Sequence, residues 1–440
     1  MKIMKFGGTS VGKPQRMHEV ARLITSDAEP KIVVLSAVSG TTNALVEIGN
    51  FIAQGKREDA KQKIDTLEAQ YKQFVTELVK KPDALEKANN ILKEHFEFLN
   101  IILRISFSEA LSKDILAQGE LISTKLFSVY LNEQGIDHEL LPALEFMSID
   151  ANDEPQVEAI RIKLTKILQQ HSNKKLFITQ GYICRNARGE VDNLKRGGSD
   201  YTASLVAAAI KASVCEIWTD IDGMHNNDPR IVNKTFPIEI LSFDEAAELA
   251  YFGAKILHPT SIWPAQLYNV PVKLLNTMQP EAKGTTIEEK AASIGVKAVA
   301  AKDGIIAVNI KSSRMLLAYG FLRKVFEVFE KYRTPIDMIT TSEVAVSVTI
   351  DNDSALSDII RELQTFSTVD VDKEQTIISL VGNEIGNQPG TLKKVFDCVS
   401  NINVRMVSFG GSIHNISMLV DSANKKQVLQ QLNSGVFGLS

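Results

Sequence analysis

Several short segments bring glycine together with lysine, arginine and carboxylates at spacings that suit phosphate chemistry. Lys5-Phe6-Gly7-Gly8-Thr9-Ser10 follows an apolar strand and runs into a helical pattern. Glycines there let backbone N–H groups crowd a phosphate, and the helix N-terminus adds a favourable dipole. Lys5 is a cation inside an otherwise apolar strand; it either snorkels out or supplies charge to a bound anion. Lys195-Arg196-Gly197-Gly198-Ser199-Asp200 opens a second helix, with Ser199 or Asp200 as candidate N-cap. Two glycine pairs, each beside a cation and each opening a helix, suggest two helix ends facing one polyanion. Trp218 to Arg230 places Thr219 and Asp220 at a strand end, where ligands bind in open α/β sheets. Its aspartates lack the spacing of a calcium loop, and no metal-ligating set is read. Lys255, ending a helical run before His258-Pro259, is either a surface lysine or a phosphate contact. Gln118-Gly119-Glu120 is read as leading into a helix, with Glu120 at its start as a possible dipole partner. No Ser-His-Asp constellation is present.

These residues need a scaffold, and the flanking patterns describe one. Ile3 to Phe6, Lys31 to Leu35, Leu176 to Thr179, Glu216 to Thr219 and Val270 to Leu275 read as buried strands alternating with helical segments. That alternation predicts a mainly parallel sheet covered by helices. Residues 56–118 differ. Leu85, Ala88, Leu92, Phe96, Leu99 and Leu103 fall on one helix face, as do Tyr71, Phe74 and Leu78 before Pro82. This is a helical excursion interrupted at Pro82, read as a packing element without chemistry of its own. Residues 279–303, charged and rich in small side chains, read as a domain boundary.

Beyond the boundary the chain repeats. Gly320 to Phe326 aligns with Gly390 to Phe396, Ile336 to Ile339 with Val404 to Val407, and Val346 to Asp351 with Ile416 to Asp421. Each copy reads strand, helix, strand, strand, helix, a ferredoxin-like module. Each opens its first helix with glycine, which serves either a tight turn or close approach to a small ligand.

Composition narrows the function classes. The chain has 440 residues, 44% hydrophobic and 23% charged, which suits several globular domains. With 49 basic and 53 acidic residues the net charge is −4, which argues against a nucleic-acid binder. No apolar run reaches the roughly 18–20 residues of a membrane span. Cys184, Cys215 and Cys398 form neither a disulfide framework nor a zinc motif. A cytoplasmic setting, with no signal peptide, is expected.

In this order, KFGGTSV at Lys5–Val11, RGGSDYTA at Arg196–Ala203, Thr219-Asp220 with Asp228-Pro229-Arg230, and AKILHP at Ala254–Pro259 resemble the aspartate kinases along essentially the whole chain. The resemblance implies an α/β fold: an amino-acid kinase (carbamate-kinase-like) αβα sandwich with a mainly parallel sheet over residues 1–295, followed by two ferredoxin-like ACT domains. These are expected over 304–372 and 375–440, with 425–440 rejoining the first. It implies the reaction ATP + L-aspartate → 4-phospho-L-aspartate + ADP with Mg²⁺, the committed step toward lysine, threonine, methionine and diaminopimelate. Matched residue by residue, Lys5 neutralises phosphate charge, with Gly7, Gly8 and Thr9 around the nucleotide. Ser36 and Thr42 are substrate-side hydroxyls, Glu120 pairs with the substrate ammonium, and Arg196 clamps its α-carboxylate. Ser199 and Asp200 lie beside the transferring phosphoryl, Asp200 with Lys5 as the catalytic pair. Thr219, Asp220, Arg230, Lys255 and Ile256 match nucleotide contacts. His225 departs from a tyrosine found in some members.

The repeat region resembles the effector site of lysine-inhibited members at Met315, Ala318, Phe321, Leu322, Ile336, Asp337, Ser342 and Glu343. Asp337 and Glu343 could hold a lysine effector's ammonium groups. Ala318 replaces a serine and removes one hydrogen bond; threonine is the alternative effector. ACT modules that pair edge to edge imply a homodimer or homotetramer. Glu120, Arg196 and the tandem repeat argue against a kinase for another amino acid. Intact Lys5, Arg196 and Asp200 argue against a non-enzymatic sensor. The chain as read ends after the second copy, so no dehydrogenase domain is expected.

Overall fold

The computed structural model describes residues 1–194, 197–253, 257–290, 293–312 and 319–439. They form two compact units, residues 1–224 with 257–289 and residues 225–256 with 290–440. Among the described residues no helix is long and apolar enough to cross a membrane.

In the first unit the strand Lys2–Phe6 lies between Lys31–Leu35 and Cys215–Thr219, parallel to both. Leu176–Gln180 and then Glu139–Leu141 extend one flank. Val272–Asn276 and the antiparallel Thr285–Glu288 extend the other. Strands covered on both faces must be apolar nearly throughout. Lys31–Leu35 is buried at every position, with the Lys31 ammonium 2.8 Å from Asp27. Parallel register brings the ends at Phe6, Leu35 and Trp218 to one edge of the sheet. The loops that begin at Gly7, Ser36 and Thr219 therefore share that edge.

The excursion is a set of long helices, Arg57–Leu78, Pro82–Ile102 and Glu109–Glu133. Pro82 stands in the first turn of its helix, where its missing N–H costs nothing. The turn before it is held by Glu133, whose carboxylate accepts the backbone N–H groups of Lys80 and Lys81 at 2.6 and 2.5 Å. Ile64, Leu67, Tyr71, Phe96 and Leu99 pack with Leu45 and Ile48 in one core.

In the second unit one sheet runs in the order Ile339–Thr341, Ala345–Ile350, Gly295–Lys311, Thr368–Asn383, Asn415–Asp421, Met406–Phe409. The two long central strands serve both copies of the repeat. Ile305 to Lys311 pairs with Thr368 to Gln375, and Gly295 to Lys302 pairs with Ile377 to Asn383, across register shifts near Lys302 and Ile305. Gly320 and Gly390, at φ 84° and 86°, cap the helices Phe321–Lys331 and Thr391–Cys398 in a left-handed conformation that suits glycine.

Two expectations are corrected here. The helix Lys425–Phe437 does not rejoin the first copy. Its Val428, Leu429 and Leu432 share a core with Ile378, Val395 and Ile416 of the second. The first copy's core, with Val308, Val325, Val348 and Ile359, is separate. The reason is register: strand Asn415–Asp421 delivers the helix directly over its own copy. The segment borrowed from elsewhere is instead Gly295 to Lys302, which lay in the stretch read as a boundary. Residues 225–253, within the stretch expected to form the kinase domain, group with the second compact unit. Val232 enters the second core, and the Asn227 amide donates to the Leu429 carbonyl at 3.1 Å.

Candidate active site

At the strand-end edge of the first unit, a chain of contacts joins many of the residues singled out from sequence. Lys5 is only 8% exposed, and its ammonium lies 2.6 Å from Asp200 Oδ1. A side chain at Gly7 would begin 3.3 Å from that ammonium, and one at Gly8 3.1 Å from the Ala37 carbonyl. Both glycines thus keep the cation's surroundings open and let the two loops approach. Thr9 follows, its carbonyl accepting from Arg16 at 2.5 Å.

The helix Gly198–Ile210 is not capped by Ser199 or Asp200. Gly197, at φ 66°, holds the cap position without a side-chain bond. This frees both side chains for the site: Asp200 turns to Lys5, and Ser199 Oγ accepts from Ser36 Oγ at 2.9 Å. Gly181 makes room for this, since a Cβ there would fall 2.3 Å from Ser199 Oγ. The next residue, Tyr182, holds a left-handed φ of 68°, a strained conformation for a bulky side chain.

Glu120 does not stand at a helix start. It lies in the middle of Glu109–Glu133 and is 3% exposed. Its Oε1 accepts the Ala37 N–H at 3.3 Å, while Oε2 is buried with no hydrogen-bond partner among the described residues. Burial raises its carboxyl to about 7, against a smaller lowering by the Ala37 amide. Burial, and secondarily the Glu120 charge, also raises the Tyr182 phenol to about 12. Gln118 is fixed by His95 at 2.6 Å. Thr42 is half-buried at the start of helix Thr41–Ala53.

Thr219 ends its strand and bonds to Asp220, which is exposed. Arg230 lies in the second unit, where its guanidinium grips Asp228 at 2.7 Å. His225, in the same unit, bonds to Thr235 at 2.7 Å. Arg196, Lys255 and Ile256 fall outside the described residues, as do Met315 and Ala318. Ser10 was passed over in the sequence, yet it is fully buried and joins Thr277 at 2.7 Å. Only the fold brings those two together.

Of the candidate effector residues, Phe321 is buried at the start of its helix and Leu322 is exposed. Ile336 is half-buried, whereas Ser342 and Glu343 are exposed. Asp337 is not open. Lys302 lies 2.6 Å from its Oδ1, and the Tyr251 hydroxyl donates to the same oxygen at 2.7 Å. Asp337 Oδ2 is buried with no hydrogen-bond partner among the described residues. Lys302 also reaches Asp351 at 3.0 Å and lies 4.6 Å above the Tyr251 ring. Sequence offered no hint of Lys302, which sat in the presumed boundary.

Residues 1–276 match the amino acid kinase family, and residues 378–435 match the ACT domain. Over 448 residues the chain is 34% identical to the lysine-sensitive aspartokinase 3 of Escherichia coli strain K12, covering 99% of each. It is 34% identical to the chloroplastic aspartokinase 3 of Arabidopsis thaliana, covering 99% of this chain and 81% of that protein. Among solved structures, E. coli aspartokinase III in complex with aspartate and ADP (R-state) matches with a TM-score of 0.84 at 33% identity, covering 99% of this chain and 100% of that one. The same enzyme with lysine and aspartate (T-state) matches with a TM-score of 0.82 at 33% identity, covering 99% of both chains.

Proposed function

The chain belongs to the aspartokinase family, and from that premise we propose how its own residues carry the phosphoryl transfer. The β-carboxylate of L-aspartate attacks the γ-phosphorus of ATP, the bond to the bridging oxygen breaks, and 4-phospho-L-aspartate and ADP leave. The nucleophile is already ionised near neutral pH, so the site needs charge cancellation and alignment rather than a strong base.

In this reading Lys5 neutralises the transferring phosphoryl, and Asp200 holds the Lys5 ammonium in place until the nucleotide arrives. The amides of Gly7, Gly8 and Thr9 face the phosphates at a helix end. Ser36, Thr42 and Ser199 orient the substrate, and Arg196 grips its α-carboxylate. Thr219 and Asp220 hold the nucleotide at the same strand-end edge. Asp200 and Asp220 are the carboxylates that would hold a Mg²⁺ ion, which would supply further charge cancellation at the triphosphate.

The observation that carries the reading is Glu120. A buried carboxylate with one unpartnered oxygen is costly unless a ligand completes it. An α-ammonium group is the complement it lacks. The E. coli relative is named lysine-sensitive, and one of its structures holds lysine. We extend this to lysine as a feedback effector here, received around Asp337, in a dimer or tetramer formed through the repeat modules. The product would feed lysine, threonine and methionine synthesis.

Incubating the protein with Mg-ATP, L-aspartate and hydroxylamine tests this directly, because hydroxylamine traps an acyl phosphate as a coloured hydroxamate. Aspartate-dependent colour, suppressed by lysine, is expected. ADP formed only with a different amino acid would overturn the substrate reading; colour unaffected by lysine would overturn the effector.

A further inference from the structure

The first helix of the excursion, Arg57–Leu78, carries none of the residues assigned above, yet one of its side chains reaches toward the site. Tyr71, in helix Arg57–Leu78, is 3% exposed, and its hydroxyl lies 2.8 Å from Thr41 Oγ1. Phe96 and Phe74 fix its ring, with centroids at 6.0 and 6.2 Å. Both hydroxyls are largely buried, Thr41 being 2% exposed, and each is satisfied by the other.

Thr41 lies beside both Thr42 and the helix that carries Glu120. It follows Gly40, whose φ of 84° turns the chain into helix Thr41–Ala53, and it precedes Thr42. Its methyl group would lie 3.5 Å from a Cβ at Gly119, the residue before Glu120. A cavity of about 460 Å³ opens between the loop that includes Ser39, Gly40 and Thr41 and the excursion helix, with Tyr71 and Gln70 on its far wall. The loop therefore borders open space, and the Tyr71–Thr41 bond links it to the excursion helix.

We infer that Tyr71 is a positioning residue for aspartate, its hydroxyl tethering Thr41 so that Thr42 and Glu120 face the substrate at fixed separation. This rests on the reading that Thr42 and Glu120 hold aspartate. It gives the excursion a function: a rigid arm that sets the substrate loop.

Steady-state kinetics on full-length variants test it. Losing one buried hydrogen bond should raise the aspartate KM about fivefold in Tyr71→Phe. The ATP KM and kcat should stay within about twofold, because the nucleotide loop is untouched. Thr41→Val should reproduce this, and the double variant should be no worse than either single one, since both remove the same tether. An unchanged aspartate KM in Tyr71→Phe overturns the inference. So does a parallel rise of both KM values with a fall in thermal midpoint, which would mark plain packing. If Tyr71→Phe does not fold, Thr41→Val decides by the same readings. Glu120→Gln run alongside separates the two levels. If it leaves the aspartate KM unchanged, the substrate-site reading falls, and the Tyr71→Phe result still decides the tether.

Discussion

Each unit of the molecule holds a largely buried lysine–aspartate pair at the same distance, 2.6 Å: Lys5–Asp200 in the first and Lys302–Asp337 in the second. Their surroundings differ. Lys5 lies beside a glycine that leaves space at its ammonium, and Asp200 is 17% exposed. An anion can therefore enter and share the cation. Lys302 is enclosed by a second carboxylate, Asp351, and by the Tyr251 ring, while Asp337 is only 2% exposed. There the cation is engaged on several sides, and Asp337 Oδ2 has no hydrogen-bond partner among the described residues. In the reading proposed above, one pair receives a negative ligand and the other a positive one. Removing one member of such a pair strands a buried charge, so both are sensitive to substitution.

The largest expected effect would break the first pair. Lys5→Ala should lower kcat by about 10³-fold, with a much smaller change in the aspartate KM, because its charge matters most where the phosphoryl transfers. Hydroxamate kinetics check this, and wild-type kcat would remove Lys5 from the site. A smaller effect would sharpen the contrast with the second pair. Asp337→Asn should weaken lysine inhibition about tenfold or more, whereas Lys302→Met should strengthen it by a similar factor, because an internal ammonium no longer competes for Asp337. Inhibition curves that coincide for both variants and wild type would place the effector elsewhere.

The smallest effect concerns Glu120 and is one of stability. Its folded carboxyl, at about 7, lies above the ordinary 4.5. The folded state thus holds the proton more tightly than the unfolded chain. The carboxyl's penalty is absent below pH 4.5, grows between 4.5 and about 7, and is fully present above about 7. The penalty amounts to roughly 3 kcal/mol at most. Glu120→Gln should therefore unfold at a higher temperature than wild type at pH 8, on the order of 5 °C, with the gap closing toward pH 5. Differential scanning calorimetry across that range measures it. A gap independent of pH would mean that Glu120 stays ionised in the fold.

Much of this site was legible, for identifiable reasons. Lys5 stood out because a cation in an apolar strand contradicts its surroundings, and Gly7-Gly8 marked a close approach. The paired strands and the repeat followed from periodicity that burial enforces. Other features were misread because one local pattern has two fates. Ser199 and Asp200 carried the pattern of a helix cap, but Gly197 took that position and released them. Glu120 looked like a helix-start acid, since Gly119 hid the continuity of a helix already running from Glu109. Tyr71 fitted an apolar stripe, and periodicity places a ring without saying what its hydroxyl meets.

The sequence alone thus determined the order of strands and helices and the loops that meet at the sheet edge. It did so because periodicity, glycine conformation and charge against an apolar background are local properties. The tertiary structure decided which carboxylate each lysine faces, that Gly295 to Lys302 completes the second copy, and that Tyr71 reaches Thr41. Those outcomes depend on pairings between residues tens to hundreds of positions apart. Only burial and shape, acting on the whole chain, select among the partners that local pattern leaves equal.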